Sequence, residues 1–241
     1  IFAKYLAFRL NQARAHGLLN EQQLSGVDRA MAYLDEQPYR DFLTSPEVLE
    51  VYAAQVANLA YDLYGLGVAD LRHEAKAAFR AHYPPALDAA LSQASFRNKI
   101  YGMTHFVIAA SDYYQHRVSA TDNAWILDEF DAQIERILAE TKEDIYTEVG
   151  ISFQLAGLTH HPVVSRTQQA LMSAYDPEAS MIPGEFGSTD LARGEHRNVL
   201  AIMLLDGPVW PRAELGWSIQ VNREQISRDW LHFSSIRAIV N

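Results

Sequence analysis

IYGMTHFVIAASDYYQH, residues 100–116, and DIYTEVGISFQLAGLTHH, residues 144–161, read as helices built to be buried, apolar on nearly every side. VYAAQVANLAYDLYGLG (51–67) and EHRNVLAIMLLDG (195–207) read the same way, and polar helices or loops separate the four. The period is about 45–50 residues, which is the signature of stacked helical hairpins. The pattern predicts an all-α fold, with an inner row of apolar helices and an outer row of amphipathic ones. An irregular helical bundle is the competing arrangement, since it also mixes buried and half-buried helices.

Local signals fill in the chain around those four stretches. FAKYLAFRLNQARAHG sets Phe2, Leu6, Arg9 and Leu10 at helical spacing and stops at Gly17. A second helix is predicted from Glu21 to Asp35, ending before Pro38. Ser45-Pro46-Glu47 makes a helix start, with the serine hydroxyl as N-cap and proline in the first turn. His73 to His82 is a polar partner helix, broken by Pro84-Pro85, and a short helix follows through Leu91. Trp125 to Glu140 puts Ile126, Phe130, Ile134 and Ile137 on one stripe, with acids opposite, as an outer helix does. The inner helices are expected at Ile100–His116, Tyr146–Leu158 and Glu195–Leu205, and Pro162 opens the helix between the last two. WSIQVNREQISRDW fits either a strand pair or a loop that continues as a helix from Arg223.

Composition narrows the function. With 241 residues, 49 % of them hydrophobic, the chain suffices for a full core and reads as one domain, 1–241. Its clearest repeats span 46–207, and 208–241 form a C-terminal extension. Thirty acidic against twenty basic residues give a formal charge of −10. That disfavours sequence-independent nucleic-acid binding, which needs clustered cations, and it disfavours anionic membranes as well. No apolar run reaches the roughly 20 residues of a membrane span. With no cysteine, thiolate chemistry and cysteine-ligated zinc are excluded. The chain opens on Ile1, which fits a processed protein, a trimmed piece or part of something longer. A removed signal peptide would place it in the periplasm or outside the cell, and a cytoplasmic location is equally compatible.

The candidate site follows from the repeat. Converging helix N-termini present unsatisfied N–H groups and positive dipole ends. Tyr101, Thr104 and His105 open one inner helix in this reading; Tyr146, Thr147 and Glu148 open the next; Glu195 and His196 open the third. Aligning Thr104 with Thr147 sets His105 opposite Glu148, with Glu195 or His196 next. An imidazole and a carboxyl on one cavity supply a base and an acid, or two metal ligands. The plainer alternative is that the helix dipole favours Glu148 and that His105 is an ordinary buried histidine. Nineteen residues, DPEASMIPGEFGSTDLARG (176–194), contain two prolines and three glycines and lead into Glu195-His196. A loop of that length is functional or mobile, and Glu185, Asp190 and Arg193 are placed to reach the cavity. Thr159-His160-His161-Pro162 reads as a turn, and Asp112-Tyr113-Tyr114 as packing between hairpins, although a tyrosine pair also suits a sugar face. G-x-S-x-G, G-x-G-x-x-G, Walker A and His-Glu-x-x-His patterns are absent. No metal or cofactor is assigned, because no ligand spacing demands one.

YGMTHFVIAASDYY, YTEVGISFQLAGL, HPVVSRTQQALMSAYDPEASMIPGEFG and EHRNVLAIMLLDG together resemble the α/α-toroid superfamily of six-hairpin glycosidases, polysaccharide lyases and terpenoid cyclases. The likeness covers about residues 46–207, concerns architecture, and extends to bacterial domains of this type without an assigned mechanism. It implies an α/α toroid or helical-hairpin solenoid. Six hairpins need a longer chain, so the resemblance implies an incomplete ring of four or five. The D-x-D-D acid motif of terpenoid cyclases is missing. Two functions follow as expectations. One is an enzyme on a glycan or uronate, with His105, Glu148 and His196 as catalytic residues and Tyr101, Tyr146, Glu185, Asp190 and Glu195 binding substrate. The other is a noncatalytic scaffold that holds a protein or peptide partner.

Overall fold

The structure is a computed structural model that describes residues 2–207. The fold is all-α. Its helices are α1 (Phe2–Ala15), α2 (Glu21–Met31), α3 (Glu36–Thr44), α4 (Pro46–Gly65), α5 (Arg72–His82), α6 (Gln93–Ala110), α7 (Ala124–Ala132), α8 (Ile134–Glu140), α9 (Glu143–Leu155), α10 (Pro162–Ser173) and α11 (Leu191–Asp206). Short 3₁₀ turns cover Pro85–Ala90 and Glu185–Gly187. Among the described residues the only extended pairing is an isolated bridge between Asp176 and Met181. The reading of 208–241 as strands or helix lies outside the described residues, and no described helix is long and apolar enough to cross a membrane.

The inner row is α4, α6, α9 and α11, with α1 packed on α4. Their first residues, Pro46, Gln93, Glu143 and Leu191, recur at the expected interval. Cross-helix hydrogen bonds show that neighbours run in the same direction. Asn98 donates to the Leu49 carbonyl at 2.7 Å, and His105 Nδ1 meets Asn58 Oδ1 at 3.0 Å. Both numbers rise together, as they do between α9 and α11, where Glu148 faces His196 and Gln154 donates to the Leu204 carbonyl. Parallel neighbours require a return element, and α5 and α10 supply it by packing on α4 and α9.

Close approach along the row needs small residues. A Cβ on Gly102 would sit 2.6 Å from Ala53 Cβ and 2.8 Å from the Phe79 ring. On Gly150 it would sit 2.2 Å from Thr167 Oγ1. The core fills with Phe79, Phe96, Phe106, Phe130 and Phe153, and Phe79 meets Phe106 edge-on. A charged cluster also lies inside it. Lys99 is buried and donates to Asp88 at 2.6 Å and to Glu129 at 2.8 Å.

Several boundaries differ from the sequence reading. Helix α3 forms where Pro38 reads as a stop. That proline lies in the first turn of α3, where a backbone N–H has no intrahelical partner to lose. Helix α6 starts at Gln93 rather than Ile100, with Ser92 capping the Ser95 N–H. It ends at Ala110, because Asp112, Tyr113 and Tyr114 all adopt positive φ (53°, 51° and 72°) and wind the chain left-handed. The expected helix 125–140 breaks at Gln133 into α7 and α8. Helix α9 opens at Glu143, before Tyr146. Helix α11 opens at Leu191, where the Asp190 carboxylate caps the Ala192 N–H.

Candidate functional site

Helices α4, α6, α9 and α11 each contribute one polar side chain at a common level: Asn58, His105, Glu148 and His196. These are separated by 47, 43 and 48 residues, close to the repeat itself. Glu148 lies at the centre, buried to 1 % exposure on a helix whose every turn is enclosed. Thr104 Oγ1 lies 2.7 Å from its Oε2. His105 Nε2 approaches the same oxygen at 3.9 Å, and His196 Nε2 approaches Oε1 at 3.9 Å. The two imidazoles differ in access, His105 being 14 % and His196 65 % exposed.

Burial decides the state of the carboxyl. Removing a carboxylate from water disfavours the charged form, and here it pushes Glu148 up to about 8. The Thr104 hydrogen bond opposes the shift and the Asp144 charge adds to it. Glu148 therefore carries a proton at neutral pH. Asn58 Oδ1 only accepts, so His105 Nδ1 carries a proton, and Nε2 faces Glu148. Tyr101 stacks its ring edge on His105 at 4.5 Å, and burial near Glu148 raises its phenol far above the usual range.

The left-handed turn after α6 sets two tyrosines on the row. Ser111 organises it, donating to the Ile108 carbonyl and accepting the Tyr114 N–H at 2.8 Å. Tyr114 is within electrostatic reach of Glu148 and Tyr101, and burial first, then those groups, keeps its phenol neutral. It borders a cavity of about 260 Å³ walled by Ile151, Gln154, Leu155, Ile202, Met203 and Asp206. Tyr113 borders a different cavity, of about 370 Å³, with Asn11, Arg14, Tyr64 and Arg72. Its buried hydroxyl has no hydrogen-bond partner among the described residues. A further cavity, of about 430 Å³, opens between α5, α6 and α7 beside Lys99 and Trp125, away from Glu148.

Thus His105, Glu148 and His196, the three residues that the repeat aligns, converge on one carboxyl. They do not lie at helix N-termini, however. Tyr101 and His105 are a full two turns inside α6, and Glu148 and His196 are each the sixth residue of their helices, so backbone N–H groups do not line the cluster. The substrate-binding expectations separate further. Tyr101 belongs to the cluster. Tyr146 is buried, with Glu143, Asp144 and Arg197 around its phenol, and presents no open ring face. Asp190 is exposed, caps α11 and lies 3.8 Å from Arg193. Glu195 is exposed on α11, and the side chain of Glu185 is outside the described residues. The 176–190 segment is pinned rather than loose, since Asn198 both donates to and accepts from the Ile182 backbone at 2.9 Å.

Asn58, Thr104 and Tyr114 are additional members of the cluster. Asn58 has a sequence signal, a lone amide inside VANLAY one repeat before His105. For Tyr114 the tyrosine pair is legible, but three non-glycine residues in a left-handed turn leave no composition mark of where it sits. Among the described residues no group of three His, Asp or Glu side chains is arranged to hold a metal.

Fold and cluster define an all-α protein with a row of parallel helices meeting at a buried carboxylic acid between two histidines. Residues 3–226 match the family described as a domain of unknown function (DUF3541), and the chain belongs to that family. No curated protein and no solved structure matches it.

Proposed function

We propose that this chain is an acid–base enzyme acting on a carbohydrate, glycan or uronate. The observation that carries the reading is Glu148, buried to 1 % exposure, with an imidazole 3.9 Å from each of its oxygens; that burial raises its pKa to about 8. A carboxyl held neutral near pH 7 is a general acid that gives its proton to the substrate, and the exposed His196 imidazole returns one from solvent. His105, fixed by Asn58 through Nδ1, keeps Nε2 toward the carboxyl at 3.9 Å and orients it. His196, being exposed, exchanges that proton with solvent. Separations of this size shorten to hydrogen bonds when a substrate closes the site. Tyr101 and Tyr114 offer neutral phenols to hydroxyl groups. The row of hairpins supports a solenoid or incomplete toroid, in line with the resemblance, and such rings suit extended glycans.

The test is turnover of neutral and uronate-containing oligosaccharides by the wild type and by His105→Ala, Glu148→Gln and His196→Ala. Loss of about 10²–10⁴-fold in each folded variant is the expected result for an acid–base group. No turnover on any glycan, or full activity in the folded variants, sinks it. One observation favours the alternative of a noncatalytic scaffold. Val199, Ile202 and Leu205 form an exposed apolar stripe on α11 that suits a protein or peptide partner.

A further inference from the structure

The cavity beside Tyr114 holds chemistry that proton transfer does not use. Gln154 on α9 is 4 % exposed and lines that cavity. Its Nε2 donates to the Leu204 carbonyl at 2.9 Å. A carbonyl oxygen only accepts, so the orientation of the amide is fixed and Oε1 is the atom left over. Oε1 is buried and has no hydrogen-bond partner among the described residues. An unmatched buried acceptor costs about 1–3 kcal/mol, which a donor from a ligand would recover.

The rest of the lining narrows that ligand. Asp206 adds a second acceptor at the open edge, and the Tyr114 phenol donates or accepts. Among the described residues no Lys, Arg or His lines the cavity, so an anion finds no counter-charge from them and meets Asp206. Ile151, Leu155, Ile202 and Met203 make the remaining wall apolar. The volume, about 260 Å³, falls below the roughly 300–1,000 Å³ of sites for drug-sized molecules and admits a single ring.

We infer that this cavity is a subsite for one uncharged, hydroxyl-rich ring, a neutral sugar residue. Its hydroxyls donate to Gln154 Oε1 and the Asp206 carboxylate, and its C–H face rests on the apolar wall. This deepens the proposed function and rests on it, because Tyr114, which lines the cavity, sits on the turn directly after α6, the helix of His105. It selects neutral sugars over uronates.

The experiment is calorimetric titration of the protein with glucose, galactose, glucosamine and glucuronate, using the wild type, Gln154→Leu and Asp206→Asn. Gln154→Leu is expected to fold with the Leu204 carbonyl still served, since Gln168 Nε2 donates to it at 3.0 Å. Asp206 is exposed, so Asp206→Asn tests the same subsite without touching the core. A neutral hexose binds the wild type, about tenfold more weakly to Gln154→Leu and several-fold more weakly to Asp206→Asn. Glucuronate binds at least about tenfold more weakly than the neutral hexoses. Binding of glucuronate as tight as glucose, binding of glucosamine alone, unaltered affinity in both variants, or no binding of any sugar each overturns the inference. Turnover in His196→Ala, assayed separately, reports on the acid–base reading, so either can fail without the other.

Discussion

The Thr104 hydroxyl lies 2.7 Å from Glu148 Oε2 and 2.9 Å from the Tyr101 carbonyl, and it has one proton for the two. When Glu148 is ionised, the hydroxyl donates to the carboxylate. When Glu148 is protonated, the acid donates to Thr104, whose own proton then goes to Tyr101. Both states are hydrogen-bonded, so a single threonine lets a buried carboxyl change charge without stranding a polar atom.

Glu148 gives the protein a pH dependence of defined sign. Unfolded, it loses its proton near 4.5; folded, it holds it to about 8. Between those values the native state binds more protons, so stability falls as pH rises and levels off above about 8. The full effect is roughly 4–5 kcal/mol, at about 1.4 kcal/mol per pH unit. Asp144, His105, His196, Tyr101 and Tyr114 surround the group and set the shape of the curve. Glu148→Gln has no proton to lose, so its denaturant midpoint exceeds that of the wild type above pH 8 and converges with it near pH 5. Parallel curves would place the pH dependence elsewhere.

Gly150→Ala is expected to destabilise despite alanine's better helix propensity. Its Cβ would meet Thr167 Oγ1 at 2.2 Å and Leu204 Cδ1 at 2.7 Å, forcing α10 and α11 outward. The cost is about 1–3 kcal/mol. Gly26→Ala in α2 is the control: nothing lies within 4 Å, and a gain of up to about 1 kcal/mol follows. Urea unfolding of the pair measures both.

Lys99→Met leaves Asp88 and Glu129 facing each other in the core without their cation. Removing one member of a buried ion group costs about 3–5 kcal/mol. Burial already holds the Glu129 carboxyl above its usual range, so lowering the pH to 5 recovers part of the loss by protonating it. A melting temperature unchanged by Lys99→Met at pH 7 would show that the triad contributes nothing.

Asp112→Gly tests the left-handed turn. A non-glycine residue there carries about 1–2 kcal/mol of strain, and glycine removes it at an entropic cost of about 0.5–1 kcal/mol. A net gain of roughly 0.5 kcal/mol is expected in thermal unfolding. A loss would mean that the Asp112 side chain holds the turn.

The inner helices are legible in the sequence because long apolar stretches with few polar breaks read as buried helices. Their regular spacing aligns His105, Glu148 and His196, since parallel neighbours in a repeat keep their level. Helix starts are harder to place. Residues 93–99 read as polar, yet Phe96 and Lys99 are buried, the lysine because two acids from outside α6 neutralise it. Starting α6 at Ile100 instead of Gln93 is what puts the cluster at the helix N-termini in the sequence reading. Tyr146 reads as a ligand-facing ring, although α9 is enclosed all round and hides it. Tyr114 is legible only as half of a tyrosine pair, because its position depends on a backbone conformation that tyrosine seldom adopts.

The row of helices has a consequence for how this family can vary. In repeat folds, loss or gain of a whole hairpin is often structurally tolerable, because each unit leans mainly on its neighbours. Here the copies are no longer equivalent: Asn58, His105, Glu148 and His196 each occur once, on successive inner helices. A deletion that the architecture would survive removes one member of the set and joins two that never met. The order of the inner helices is thus what assembles the cluster, and rearranging the middle of the row takes it apart.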